Sequence, residues 1–249
     1  MVPSQLEHRV SHLTWDAASA RLAAGALAIL PIGAGAKQHG FHLPMQTDQL
    51  QAEWLAERVA VSFNGLAWPT LTYGFYPAFE AYAGSMSLTE QMFEELVLET
   101  ANGLLKWCRS HIFVLDTGIS TQPAISRACE RSAEPSRCHH IKVYGGQAFQ
   151  EASARLARQP HGSHADEIET SVMLALAPER VQMARAVPSK TLPDGIASGP
   201  LTPSDPASPN YSASGSFGSP QLATPEKGEQ LLAAMEADVL AAVKQALKG

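Results

Sequence analysis

Two stretches concentrate side chains able to bind a metal or move a proton. AKQHGFHLP, residues 36–44, carries Lys37, His39 and His42, and Asp48 follows in QTDQL. HGSHADEIETS, residues 161–171, brings His164, Glu167 and Glu169 together before an apolar run. Neutral imidazole and carboxylate are both good ligands for Zn²⁺ and similar ions. The same residues also suit a plainer reading: a loop histidine with a local hydrogen bond, and acidic groups in first helical turns, where the backbone dipole favours them. A third stretch, LDTGIST (residues 115–121), offers Asp116, as a pocket acid or as the start of an Asx-type turn.

These stretches need elements to position them. TWDAASARLAAG reads as a short helix ended by Gly25, and LAILPIGAG as a buried strand closed by glycines. TDQLQAEWLAERVAVSF reads as an amphipathic helix starting at Thr47 or Asp48, with Leu50, Trp54, Leu55 and Val59 on one face. AWPTLTYG is a second strand, LTEQMFEELVLETANGLLKWCRS a long helix, HIFVLDTG a third strand, ISTQPAISRACERS a helix and HHIKVYGG a fourth strand. HADEIETSVMLALAPERV enters a further helix. Residues 186–220 are rich in Pro, Ser and Gly, and an apolar-periodic helix at about 225–248 follows. Because that helix can dock back on the sheet, the stretch reads as an irregular excursion within one domain covering 1–249.

Alternating strands and helices predict an α/β fold with a mostly parallel sheet covered on both faces. Such sheets bind ligands at the carboxyl ends of their strands. AKQHGFHLP, TYGFYPAFE and LDTGIST all follow predicted strands, so they are expected to share one site. Tyr73, Phe75 and Tyr76 would wall a small flat substrate, with Asp116 as an anchor.

Composition narrows the class. The chain has 249 residues, 45% hydrophobic and 17% charged, as for a globular protein with a real core. A net charge of −6 and no basic stripe argue against nucleic acid. Cys108, Cys129 and Cys138 have no CxxC spacing, which suits a reducing compartment. No run is long enough to cross a bilayer and the start does not read as a signal peptide, so a cytoplasmic protein is expected.

Taken in order, the motifs resemble the creatininase (creatinine amidohydrolase) family. The QHGFHLP loop followed by TD is similar to that family's QHGPHLPLxTD. YGFYPAFEAYAGSMSL is similar to YGxSxEHxxFPGTxSL, HADEIETSVML to HAGExETSxML, and GSFGSPQLATPEKGEQLL to GxxGDPxxATxEKG. The resemblance implies a Rossmann-like αβα sandwich, a homo-oligomer up to a hexamer, and hydrolysis of C–N bonds in cyclic or formyl amides at a two-metal centre. It implies that His39, Asp48 and Glu169 are ligands, with the aspartate bridging, and that His164 lies near the reacting group.

Two departures stand out. The family's glutamate ligand before QHG is Lys37, and Gly118 stands where the histidine of NGHGGN is expected. By the resemblance, both lost ligands serve one metal. The expectation is therefore one divalent ion per chain, Zn²⁺ before Mn²⁺ or Fe²⁺, on His39, Asp48 and Glu169. Lys37 supplies the charge of the missing ion, and Lys37, His164 and Glu167 act in catalysis. The expected activity is hydrolysis of a small amide. A lyase or isomerase using the ion and Lys37, and an inactive binding or scaffold protein, are the alternatives.

Overall fold

Four short strands made almost wholly of buried apolar residues organise the chain. In the computed structural model, which describes residues 7–189 and 199–248, they are β1 (Ala28–Ile32), β2 (Leu66–Ala67), β3 (Ile112–Asp116) and β4 (Cys138–Lys142). They form one parallel sheet in the order β2-β1-β3-β4. β1 and β3 are central and buried throughout, as strands covered on both faces must be.

Alternation along the strands assigns each side chain to a layer. Ala28, Leu30, Ile32, Ile112 and Val114 face a core built with Phe93, Val97, Ile125 and Ala128. Those residues belong to α3 (Glu90–Leu105) and α4 (Gln122–Arg131), with α1 (Trp15–Ala23) at the rim. Ile29, Phe113 and Leu115 point the other way, toward Leu55, Val59, Phe149, Val172, Leu231 and Met235. These come from α2 (Thr47–Ser62), α5 (Gln147–Leu156), α6 (Glu167–Leu176) and α7 (Pro225–Ala246). The result is the three-layer αβα sandwich read from the sequence.

Three local expectations change. AWPTLTYG contributes only Ala67 to the paired strand; Pro69 has no amide hydrogen for the ladder, and pairing returns at a single Ile32–Leu71 bridge. Helix α5 was not expected: its buried stripe is only Phe149 and Ala152, too sparse to stand out. Along α2, Leu55 and Val59 are buried as expected, but Leu50 and Trp54 are half-buried.

The expected C-terminal helix packs along α6, and Gly228 permits the approach. A Cβ there would lie 1.9 Å from the Ser171 carbonyl oxygen. Of the Pro/Ser/Gly excursion, residues 190–198 lie outside the described residues. The remainder packs against the site: Leu201 and Phe217 are buried, Leu201 donates its amide to Ala78, and Phe217 bridges to His164.

Candidate active site

The loop after β1 and the first turn of α2 are forced together at Gly33. A Cβ at Gly33 would sit 2.4 Å from the Asp48 carbonyl oxygen, so only glycine lets the helix start so close to the strand end. Asp48 is thereby buried beneath residues 36–44. The Lys37 amide donates to the Met45 carbonyl and closes that loop. On the far side, Asp166 caps α6 by accepting from the Ile168 and Glu169 amides. Ala165 adopts a left-handed φ of +46°, which turns its amide onto Glu169 Oε2 at 2.6 Å.

Five predicted residues meet here. Lys37 Nζ lies 2.6 Å from Asp48 Oδ2, with both side chains almost wholly buried. His39 Nδ1 donates to the Lys37 carbonyl at 2.9 Å, which leaves Nε2 facing Asp48 Oδ1 at 3.1 Å and Glu169 Oε1 at 3.5 Å. His164 Nε2 donates to the Gln38 carbonyl at 2.8 Å, which leaves Nδ1 3.7 Å from Glu169 Oε2. Backbone carbonyls thus fix both tautomers, a role often seen behind metal-ligating histidines.

In their neutral forms, imidazoles with these tautomers aim two lone pairs at two carboxylates. That arrangement is repulsive unless a positive charge, a metal ion or a proton on His39 Nε2, lies among them. Lys37 is committed to Asp48, so one lysine faces two acidic groups. The protonation tendencies follow. Burial pushes the Asp48 carboxyl up, but Lys37 and His39 more than reverse it and hold it below the usual range. Burial raises Glu169, and the Asp48 charge adds to that rise against the opposing pull of His39 and Lys37. Burial, His39 and Lys37 press His164 well below the ordinary imidazole value. The ligand atoms of His39, His164 and Glu169 lie within 4.8 Å of one another. This donor set fits a divalent ion, and it brings His164 beside the expected His39, Asp48 and Glu169.

Glu167 does not join the cluster. It ion-pairs with Lys227, and its Oε2 accepts from the Arg158 and Gln159 amides at 2.8 and 2.7 Å. Positions two apart on a helix lie about 200° around its axis, so Glu167 and Glu169 face opposite ways. Asp116 is likewise closed on itself. Its Oδ1 accepts from the Gly118 amide and the Thr121 hydroxyl, and its Oδ2 is 3.2 Å from His140 Nε2. This is the Asx-type turn rather than a substrate anchor.

Over the cluster opens a cavity of about 550 Å³. Tyr76 lines it, as do Phe79, Ile168, Val172 and Leu201. Lys37 Nζ sits 4.8 Å from the Phe79 ring centroid and 5.7 Å from that of Tyr76. Tyr73 and Phe75 do not reach the cavity wall: Tyr73 is exposed and Phe75 packs against the α3/α4 core. Sequence reading missed Gln51 and Tyr144, which also line the cavity. Gln51 was legible in principle, one turn after Asp48 on the same helical face.

Known proteins resemble this chain along most of its length. The family model described as "Creatininase: Creatinine amidohydrolase" matches residues 11–243. A "Creatinine amidohydrolase" from Pseudomonas putida is 28% identical, with 90% of this chain and 91% of that protein covered. A "Mycofactocin precursor peptide peptidase" from Mycobacterium ulcerans is 25% identical, covering 86% and 83%. Among solved structures, a creatinine amidohydrolase (creatininase) superposes with a TM-score of 0.80 at 24% identity, covering 97% of this chain and 98% of that one. A structure titled "Creatininase Mn" does so at 0.80 and 23%, covering 97% and 99%.

Proposed function

The chain belongs to the creatininase family of metal-dependent amidohydrolases acting on C–N bonds, and on that premise we propose a specific version of that activity. It hydrolyses a small, cyclic amide with one divalent ion, and Lys37 stands in for a second. The carrying observation is the buried 2.6 Å contact between Lys37 and Asp48 beside a His39–His164–Glu169 cluster that pairs with no lysine or arginine among the described residues.

His39, Glu169 and Asp48 would hold the ion. His164 joins them as a ligand rather than as the expected proton shuttle, because its one free nitrogen faces the cluster and burial has weakened its basicity. Two imidazoles and carboxylates favour Zn²⁺; two of the solved relatives are titled for Mn and for a Zn-Zn type. A bound divalent ion supplies Lewis acidity toward a carbonyl or a water molecule.

The protein's own groups do the rest. Lys37 neutralises Asp48 and keeps positive charge at the cavity floor, where an amide oxygen gains negative charge during attack. A preorganised donor of this kind is worth roughly 3–4 kcal/mol. Tyr76 remains a protonated donor, since burial and Asp48 raise its phenol well above the usual value. Phe79 and Leu201 exclude water and suit a flat ring. A homo-oligomer goes with this reading.

Metal analysis tests the proposal together with turnover on a panel of lactams, imides, formamides and short peptides. About one ion per chain and ring-opening activity that falls strongly in Lys37→Ala are expected. Two ions per chain, or turnover indifferent to Lys37, would overturn it.

A further inference from the structure

Beside Asp48 the cavity carries a polar group that nothing above employs. Gln51 is buried at 1% exposure and lines the cavity, yet its Nε2 has no hydrogen-bond partner among the described residues. Its other end is fixed: the Tyr144 hydroxyl donates to Gln51 Oε1 at 2.7 Å. Tyr144 is itself held, its ring 5.5 Å from that of Phe149. With the amide oxygen tied to Tyr144, the NH₂ is the end left without a partner. The negative charge of Asp48, one helical turn away, favours that same orientation over the flipped one.

A buried donor without a partner costs on the order of 1–3 kcal/mol. A substrate acceptor that meets it recovers that energy, and one lacking the acceptor does not. Charge narrows what the acceptor is. Among the described residues lining the cavity, Lys37 is the sole lysine or arginine, and it is committed to Asp48. Apart from the ion proposed on His39, Asp48 and Glu169, the cavity offers a charged substrate group no side-chain cation free to pair with it. Gln51 is a neutral donor and suits a neutral oxygen.

We infer that Gln51 is a specificity-determining residue that binds a second, uncharged carbonyl of the substrate, and that Tyr144 is the positioning residue that orients its amide. The substrate class is then a ring amide with two carbonyls, an imide or a cyclic ureide, rather than a simple lactam. This rests on the amide-hydrolase reading of the cavity and sharpens its substrate.

Two five-membered rings test the inference by calorimetry on the full chain: succinimide, with two carbonyls, and 2-pyrrolidinone, with one. Succinimide is expected to bind about ten-fold tighter than 2-pyrrolidinone, the worth of one recovered hydrogen bond. Gln51→Met should bring the succinimide-to-pyrrolidinone ratio to near one. Tyr144→Phe, which keeps the ring packing, should lower the ratio several-fold without a matching loss of 2-pyrrolidinone affinity. A merely structural Tyr144 would weaken both ligands alike. Equal affinities in the unaltered protein, no detectable succinimide binding, or a ratio that survives Gln51→Met would each overturn the assignment. Ring opening appears separately as a continuing heat signal, so selective binding without turnover would sink the hydrolase reading and leave Gln51 standing.

Discussion

Among the described residues two lysine–carboxylate pairs are buried, and they differ in what surrounds them. Lys227 and Glu167 join α7 to α6 and form a closed unit. Lys227 also donates to the Leu222 carbonyl, and Glu167 Oε2 receives two backbone amides. Lys37 and Asp48 form an open one. The aspartate's other oxygen faces a histidine nitrogen that also faces a second carboxylate, and a cavity lies above. Burial of charge alone therefore does not mark a site. A surplus of acceptors over protons does.

Substitutions can break that contrast. The largest effect is expected from Glu169→Ala, which removes a carboxylate from the open cluster. Bound metal should fall from about one ion per chain to a small fraction of that, and turnover by roughly 10³-fold or more, read by metal analysis and steady-state kinetics. Lys227→Met opens the closed pair instead. It strands Glu167 in the interior and should cost about 3–5 kcal/mol in urea denaturation. The folded fraction should retain metal and kcat within a few-fold. Lys37→Met should lower turnover by about 10²–10³-fold with metal content retained. If Lys37→Met and Lys227→Met behave alike, the distinction between the pairs fails.

The smallest effect concerns pH. His42 bonds Thr170 Oγ1 at 2.8 Å, and burial together with His39 pulls it down to about 4. Its folded value lies below the unfolded one, so the unfolded chain binds more protons between them. The stability contributed by neutral His42 is complete above about pH 6.5 and is lost as pH falls toward 4, by up to roughly 3 kcal/mol. Denaturation of the metal-free protein at pH 7 and pH 5 should show the decline, reduced in His42→Asn.

The layered fold was legible because alternate residues of β1 and β3 face different helices, and both strands are apolar enough to be buried on two sides. What stayed hidden depended on contacts between distant segments. Glu167 looked catalytic because its partner, Lys227, lies 60 residues away. Asp116 looked available because its closure depends on His140 from the neighbouring strand. The helical period already separated Glu167 from Glu169, so that distinction needed only geometry. His164 could be placed near the centre by resemblance. Its free nitrogen could be identified only once the Gln38 carbonyl was seen to hold the other. Restoring the family's histidine at Gly118 is not a simple reversal, since a Cβ there would lie 2.2 Å from Thr121 Oγ1.

The most direct test of the central claim is anomalous diffraction from crystals grown with excess Zn²⁺ or Mn²⁺. One anomalous peak, bounded by His39 and Glu169, with the Lys37 ammonium still against Asp48, is the predicted result. Two peaks in the cavity, or a Lys37 side chain displaced from Asp48 by a second ion, would contradict it.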